Sequence, residues 1–189
     1  MSKALQINRN ELEGTAAELG KHGQDICVAD MSGSMREPAI EGKSRFECLK
    51  IALETHAARL QLLAFNNRVW ECSPADLDNP SGGTALHSAL QHARALEPIH
   101  VLVICDGEPN NPQAAIDEAA LIAANCVIDA LYIGPMDDAH EQGRHFMSDL
   151  AEVGRGRYIE FDMRGATQLQ LTQRVGALLA LPGPGVIEL

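Results

Sequence analysis

The sequence predicts an α/β fold: a doubly wound, mostly parallel central sheet with helices on both faces and one antiparallel strand. Three short apolar runs, at residues 26–29, 101–105 and 127–133, are continuous rather than alternating. Continuous runs are expected of strands that are buried on both faces of a parallel sheet. The segments between them have helical spacing, and strands that alternate with helices are typical of doubly wound sheets.

Amphipathic spacing locates the helices. After the first apolar run, Phe46, Leu49 and Leu53 recur on one helical face. Pro112 suits the first turn of a later helix, and Gly154 suits the end of another. The helices are predicted over residues 11–19, 44–60, 84–96, 113–125, 140–153 and 166–181.

Three further strands complete the predicted sheet. Residues 62–65 and 69–72 flank two asparagines at 66–67, which suit a tight hairpin turn and make one of these strands antiparallel. Residues 158–161 have the alternating pattern of an edge strand, and the basic stretch 154–157 is predicted to form a turn before it. The predicted order is α-β-α-β-β-α-β-α-β-α-β-α.

The length of 189 residues suits one domain with its own hydrophobic core. We predict a single domain over residues 1–181, with its core from about residue 25 and an N-terminal helix within residues 9–20. Residues 182–189 are predicted to form a tail, because their prolines prevent the preceding helix from continuing. The net charge of −11 lacks the basic footprint of a protein that binds nucleic acid or anionic membranes.

The cysteines and the N-terminus bear on the compartment. The five cysteines are odd in number, form no Cys-x-x-Cys pair, and in three cases lie in or beside apolar runs. This pattern indicates buried free thiols in a reducing compartment and does not support a structural zinc site. The first residues form no apolar signal segment, and no run approaches the roughly 18 apolar residues that span a bilayer. We therefore expect a cytoplasmic protein with no membrane segment.

Oxygen-bearing side chains follow the predicted strands, at the end of the sheet where doubly wound folds bind ligands. Asp30, Ser32 and Ser34 come after the first apolar run, and Asp106 follows a later one. Thr84 opens a helix after two glycines. Carboxylate and hydroxyl oxygens are ligands of a hard cation such as Mg²⁺, and this set includes no thiolate or imidazole. The sequence therefore predicts one bound divalent metal ion, with Mg²⁺ preferred and Mn²⁺ and Ca²⁺ as alternatives.

Each of these segments is compatible with a different role when it is taken alone. Ser32 and Ser34 can cap a turn, and Thr84 can be the N-cap of a helix. Phosphatases of the haloacid dehalogenase type also carry Asp at a strand end, but they need a second Asp as acid/base where this chain has Ser32. The histidines do not form a helical metal pair, since His87 and His92 are five residues apart. The three segments in this order favour the metal site.

Asp-x-Ser-x-Ser, then Gly-Gly-Thr, then Asp-Gly resemble the metal-ion-dependent adhesion site (MIDAS) of von Willebrand factor A (vWA) domains. The resemblance extends over residues 25–181 and implies a Rossmann-like vWA fold. It implies that three hydroxyls bind the metal, that two carboxylates act directly or through water, and that a partner's carboxylate fills an open coordination position. The implied metal-site residues are Asp30, Ser32, Ser34, Thr84 and Asp106.

The surroundings of this motif are expected to contact the partner. Met35, Arg36, Gly83 and Glu108 are predicted at the rim of the site, although the first two can equally belong to a solvated loop. Glycines at 33, 82 and 83 are expected to let backbone segments approach closely. Cys105 stands where many vWA domains have Thr. The loops expected to determine specificity are residues 31–38, 78–83 and 107–112.

We expect a metal-dependent protein-binding module that captures an Asp or Glu carboxylate of another protein, with no enzymatic activity. Without a secretion signal the chain is similar to stand-alone intracellular vWA proteins, which often work with MoxR-type AAA+ ATPases or in multi-protein complexes. Nucleic acid and membranes are not expected as partners. One alternative is a Mg²⁺-dependent phosphoryl hydrolase that uses Glu108 as general base. Another is a structural subunit whose metal only braces the loops.

Overall fold

A computed structural model of the chain describes residues 25–179. The predicted helix at 11–19 and the predicted tail at 182–189 lie outside the described residues, so the domain bounds stay predictions. Within residues 25–179 there are six strands and five α-helices. In chain order they are β1 (Asp25–Asp30), α1 (Arg45–His56), β2 (Gln61–Phe65), β3 (Val69–Cys72), α2 (Leu86–Ala95), β4 (His100–Cys105), α3 (Pro112–Ile122), β5 (Val127–Tyr132), α4 (Glu141–Val153), β6 (Arg155–Glu160) and α5 (Gln168–Leu179).

The six strands form one sheet in the order β3-β2-β1-β4-β5-β6. Every neighbouring pair is parallel except β2 and β3, which are antiparallel. The central strands β1 and β4 pair Ala29 with Ile104, so their last residues, Asp30 and Cys105, lie side by side at the carboxyl end of the sheet. This architecture confirms the predicted fold class.

Two hydrophobic layers cover the sheet, because alternate side chains of a strand point to opposite faces. In β1, Cys27 and Ala29 belong to the layer formed with α1 and α5, while Ile26 and Val28 belong to the layer formed with α2, α3 and α4. The side chains of β4 are buried along the whole strand, and those of β1 from its second residue on. Burial on both faces explains why their sequences are continuous apolar runs.

The first helix shows how local sequence sets an element's start. Ser44 and Glu47 form a capping box: Ser44 Oγ accepts the Glu47 N–H at 3.2 Å, and the Glu47 carboxylate accepts the Ser44 N–H at 2.7 Å. Arg45 is therefore the first residue of α1. The helix ends at His56, short of the predicted residue 60, and the chain continues as a 3₁₀ turn over Ala57–Arg59.

The outer strands agree with their predicted roles. The hairpin between β2 and β3 turns at Asn66, whose N–H donates to the Arg68 carbonyl at 2.9 Å. The Arg68 N–H in turn donates to Asn66 Oδ1 at 3.0 Å. The edge strand predicted at residues 158–161 is β6, which lies at the edge of the sheet and begins three residues earlier, at Arg155.

The basic turn predicted at residues 154–157 is wrong, because most of this segment belongs to β6. Gly154 ends α4, and Arg155 reverses the chain direction within one residue by adopting a φ of 55°. Arg157 then points to the buried Asp129 of the neighbouring strand β5, with its Nη2 2.8 Å from Asp129 Oδ2. One of the two arginines of this stretch thus balances a buried acid.

The five cysteines are free thiols, and all of them except the half-buried Cys72 are buried. This confirms the prediction of buried free thiols for the cysteines in apolar runs. No helix among residues 25–179 has the length and apolar character needed to cross a bilayer.

Candidate metal centre

Three loops meet at the carboxyl ends of β1 and β4. The Gly33 N–H donates to the Gly82 carbonyl at 3.0 Å, which joins the loop after β1 to the loop before α2. The Asn110 N–H donates to the Thr84 carbonyl at 3.0 Å, which joins that second loop to the loop after β4. The fold thus brings together the three segments that the sequence singled out. We call Asp30, Ser32, Ser34, Thr84 and Asp106 the candidate metal centre.

Asp30 is the deeper of the two carboxylates, with 1% of the residue exposed. Its Oδ1 accepts the Ser32 N–H at 2.6 Å. Its Oδ2 accepts the Cys105 S–H at 2.8 Å. Both donors are neutral, so Asp30 makes no ion pair in the part of the chain that the structure describes.

Asp106 is also buried, with 3% of the residue exposed, but one of its partners is charged. Its Oδ1 accepts the hydroxyl of Ser34 at 2.8 Å. Its Oδ2 accepts Nη1 of Arg45 at 2.6 Å, which forms a buried ion pair between the start of α1 and the end of β4. Arg45 Nη1 also lies 3.3 Å from the Ser34 carbonyl.

The two serine hydroxyls connect these carboxylates to the surface. Ser32 Oγ and Ser34 Oγ lie 3.0 Å apart, and since Ser34 donates to Asp106, Ser32 donates to Ser34. Ser32 is buried, whereas Ser34 is exposed. The hydroxyls therefore form a polar path from the buried acids to solvent.

The hydroxyl side chains do not cap the elements beside them, so the capping alternative is wrong here. Ser32 precedes a 3₁₀ turn at Gly33–Arg36, but its side chain accepts no capping hydrogen bond there. The cap position of α2 is Ala85 rather than Thr84, and it makes no side-chain cap. Thr84 is half-buried, and its N–H lies 3.3 Å from Asn110 Oδ1. Its hydroxyl is therefore not used to start the helix.

The charges in the centre are unbalanced. Burial raises the pKa of Asp30 above its usual range, and the negative charge of Asp106 raises it further; the hydrogen bonds from Cys105 and Ser32 lower it only in part. Burial, and then the two carboxylates, hold the pKa of Cys105 well above its ordinary value, so Cys105 stays a neutral S–H donor. Two buried acids thus share one cationic partner, Arg45, among the residues that the structure describes.

The donor set fits a hard divalent cation. Ligand atoms of Asp30, Cys105 and Asp106 lie within 4.8 Å of one another, and among residues 25–179 this is the one such group of His, Cys, Asp or Glu side chains. Because Cys105 keeps its proton as a donor to Asp30, the charged ligands available are carboxylate oxygens. Carboxylates together with hydroxyls suit Mg²⁺ and its close substitutes rather than a thiolate-bound metal.

The rim residues do not all lie where the sequence placed them. Met35 is 0% exposed and packs in the hydrophobic layer with α1, so it is not a rim residue. The 3₁₀ turn that contains Met35 directs its side chain inward. The neighbouring Arg36 points outward, and its Nε donates to the Pro80 carbonyl at 2.6 Å. Glu108 is exposed and Gly83 is half-buried beside the centre, so these two agree with a rim position.

The glycines of the second loop allow close packing, as expected. A Cβ on Gly83 would lie 2.8 Å from Asn67 Oδ1, which accepts the Gly83 N–H at 3.0 Å. Gly82 has a φ of 78°, a left-handed conformation that favours glycine. At Gly33 an added Cβ would make only an ordinary contact of 3.5 Å, so glycine is not required there.

Three residues that organise the centre were not singled out as site residues from the sequence: Arg45, Asn67 and Asn110. The sequence contains one indication that Arg45 has an acidic partner. A basic residue in the first turn of a helix interacts unfavourably with the helix dipole, so another negative charge must compensate. The two asparagines lie in loops, where nothing in their spacing shows that they hold the glycine segment. Cys105 was noted for its identity but not for its bond to Asp30.

The sequence matches no protein-family model and no curated protein. The fold is similar to that of several solved structures, including the following two. The conserved hypothetical protein BatB from Bacteroides thetaiotaomicron is 16% identical, with a TM-score of 0.59 over 82% of this chain and 98% of BatB. The VWA domain of SpRpn10 is 14% identical, with a TM-score of 0.61 over 88% of this chain and 99% of that domain. At these identities the similarity establishes the Rossmann-like vWA fold alone.

Proposed function

We propose that this chain is a metal-dependent protein-binding module whose divalent cation captures an Asp or Glu carboxylate of another protein. The observation that carries the proposal is the pair of buried carboxylates, Asp30 and Asp106, whose single cationic partner among residues 25–179 is Arg45. The proposed metal ligands are Asp30, Ser32, Ser34, Thr84 and Asp106.

Electrostatics supports a bound cation. Burying a carboxylate costs on the order of several kcal/mol unless a positive charge and hydrogen bonds balance it. Asp106 has such a partner in Arg45, whereas the donors to Asp30 within the described part of the chain are neutral. We propose Mg²⁺ as the cation, with Mn²⁺ and Ca²⁺ as substitutes, because the ligands are oxygens. When bound, the cation supplies positive charge and an open position for one more oxygen.

The surface around the centre supports recognition of a protein. Ser34, Arg36 and Glu108 are exposed there, within the loops 31–38 and 107–112 that we propose as specificity loops together with loop 78–83. A neighbouring cavity of about 360 Å³ is lined by an aromatic ring and by side chains of both charge signs. These groups can contact the partner's residues on either side of the captured acid. The lining residues are Asn66, Arg68, Val69, Trp70, Asp78, Asn79 and Ser81. A MoxR-type AAA+ ATPase or a complex subunit is the partner class that the vWA resemblance suggests.

The metal arm of the proposal is tested by titrating the protein with Mn²⁺ and following free Mn²⁺ by electron paramagnetic resonance. We expect one bound ion per chain, and an Asp30→Asn variant that binds at least about tenfold more weakly, because a unit charge next to the cation is lost. Asp138→Asn is the matched control, since Asp138 is exposed and lies outside the centre. Equal affinity in the wild type and in Asp30→Asn would place the metal elsewhere or nowhere.

The capture arm is tested with an array of acidic peptides in Mg²⁺ or in EDTA. We expect binding that EDTA and Asp30→Asn both abolish, and that is lost when the peptide's Asp or Glu is changed to Asn or Gln. Binding that survives all three changes would contradict carboxylate capture. Turnover of phosphate esters that disappears in Glu108→Gln would instead indicate a hydrolase.

A further inference from the structure

We infer that Arg45 couples metal binding to partner capture in the proposed centre. It weakens the hold on the metal while the centre has no partner, and it strengthens the capture of the partner's carboxylate once the metal is bound. The inference rests on the proposed function, since it assigns a role to Arg45 toward the same metal and the same carboxylate.

Arg45 is held in a buried position beside Asp106. Its side chain is 10% exposed and that of Asp106 is 1% exposed, with 2.6 Å between Nη1 and Oδ2. The capping box of Ser44 and Glu47 holds Arg45 as the first residue of α1, and its Nη1 also contacts the Ser34 carbonyl. The guanidinium is therefore a buried charge within the centre, and water screens it less than it screens a charge at the surface.

The other side chains near the centre do not pair a positive charge with its carboxylates. Arg36 donates to the Pro80 carbonyl instead of a carboxylate. Cys105 is a neutral thiol that donates to Asp30. Among residues 25–179, Arg45 is the one cation paired with either carboxylate of the centre.

The net charge of the centre changes with each ligand that binds. When both carboxylates are ionised, they and Arg45 together carry one negative charge. A divalent cation converts this to one positive charge, which is costly in a buried place, and a single partner carboxylate returns the site to neutrality. Without Arg45, the metal alone would neutralise the two acids, and an incoming carboxylate would create an excess of negative charge. Arg45 thus makes metal and carboxylate bind better together than separately.

The experiment measures Mn²⁺ affinity in chloride and in acetate at equal ionic strength, with acetate as the carboxylate probe. Arg45→Gln removes the charge but keeps an N–H donor for Asp106, and Arg45→Lys keeps the charge. Arg94→Gln is the matched control, because Arg94 pairs with Glu118 at the surface. Thermal unfolding and Trp70 fluorescence check that each variant is folded.

In chloride, we expect Arg45→Gln to bind Mn²⁺ about tenfold more tightly than the wild type, while Arg45→Lys and Arg94→Gln stay within about twofold. In acetate, Mn²⁺ affinity should rise for the wild type and Arg45→Lys but not for Arg45→Gln. Unchanged or weaker Mn²⁺ binding in Arg45→Gln, or equal responses of the Gln and Lys variants, would overturn the coupling.

The wild-type comparison of acetate with chloride needs no substitution, so it tests the coupling even if Arg45→Gln does not fold. No rise in Mn²⁺ affinity with acetate would then contradict the coupling. The two failures are distinguishable: if Asp30→Asn binds Mn²⁺ like the wild type, the proposed function fails. If Asp30→Asn loses Mn²⁺ but Arg45→Gln is unchanged, only the role of Arg45 fails.

Discussion

Two buried acidic sites lie on the same sheet and differ in their charge balance. In the candidate metal centre, Asp30 and Asp106 have one cationic partner between them within residues 25–179, namely Arg45. The second site is Asp129 in β5, which is 0% exposed and accepts hydrogen bonds from the His100 imidazole at 3.1 Å and the Arg157 guanidinium at 2.8 Å.

The pKa values of the two sites move in opposite directions. Burial raises the pKa of Asp30, and Asp106 adds to this shift. Burial also acts to raise the pKa of Asp129, but the bonds from His100 and Arg157 outweigh it and hold the pKa below its usual range. The described residues balance the Asp129 charge, whereas in the candidate metal centre they pair one cation with two acids. Asp129 is thus a structural acid, whereas Asp30 and Asp106 are acids that we propose bind a metal.

The largest effect is expected at the balanced site. Asp129→Ala removes the partner of the buried His100 and of Arg157, and should lower the free energy of unfolding by about 3 kcal/mol. Urea unfolding measures this loss, with the exposed Asp138→Ala as control. Mn²⁺ affinity of the folded Asp129→Ala protein should equal that of the wild type. A metal defect in this variant would show that the two sites are not independent.

The acid dependence of stability should come in part from the same residue. Because the folded-state pKa of Asp129 is lowered, its charge contributes stability that is fully present above the unfolded-state pKa, about 3.9, and is lost as the pH falls through the folded-state pKa. Asp129→Asn should therefore flatten the fall in unfolding free energy below about pH 4. Parallel urea series on both proteins check this, and identical slopes would refute it.

The smallest effect is expected inside the metal centre. Cys105→Ala leaves Asp30 Oδ2 without its S–H donor and should cost about 1 kcal/mol of unfolding free energy in metal-free protein. Cys105→Ser keeps a donor and should recover most of this loss. Cys126→Ala is a control for removing a buried thiol that bonds no carboxylate. If the Ser and Ala variants lose equal stability, packing rather than the bond to Asp30 explains the effect.

Much of the fold could be predicted because its signals are local. The continuous apolar runs at the centre of the sheet and the amphipathic helices each depend on residues close in sequence. The predicted start of α1 shifted by one residue because Ser44 is the N-cap rather than the first helical residue. The prediction failed at Arg155–Arg157, since a basic stretch resembles a turn unless the buried Asp129 beside it is known.

The position of the acidic side chains was predictable from the sequence, but the organisation around them was not. Asp30 and Asp106 could be found because each follows a buried strand, and the carboxyl ends of parallel strands meet at one end of a sheet. Met35 was placed at the rim from its position beside the motif, but the 3₁₀ turn directs it into the core. A side chain's direction in a short turn depends on packing that spacing does not reveal.

The sequence by itself determined the α/β architecture and the oxygen-rich chemistry at the ends of β1 and β4, because periodicity and strand ends are properties of neighbouring residues. Only the tertiary structure decided which charges are balanced. Arg45 meets Asp106 across 61 positions of the chain, and Arg157 meets Asp129 across 28. Such pairs depend on how distant segments pack, and the resulting charge balance separates a buried acid that stabilises the fold from one proposed to bind a metal.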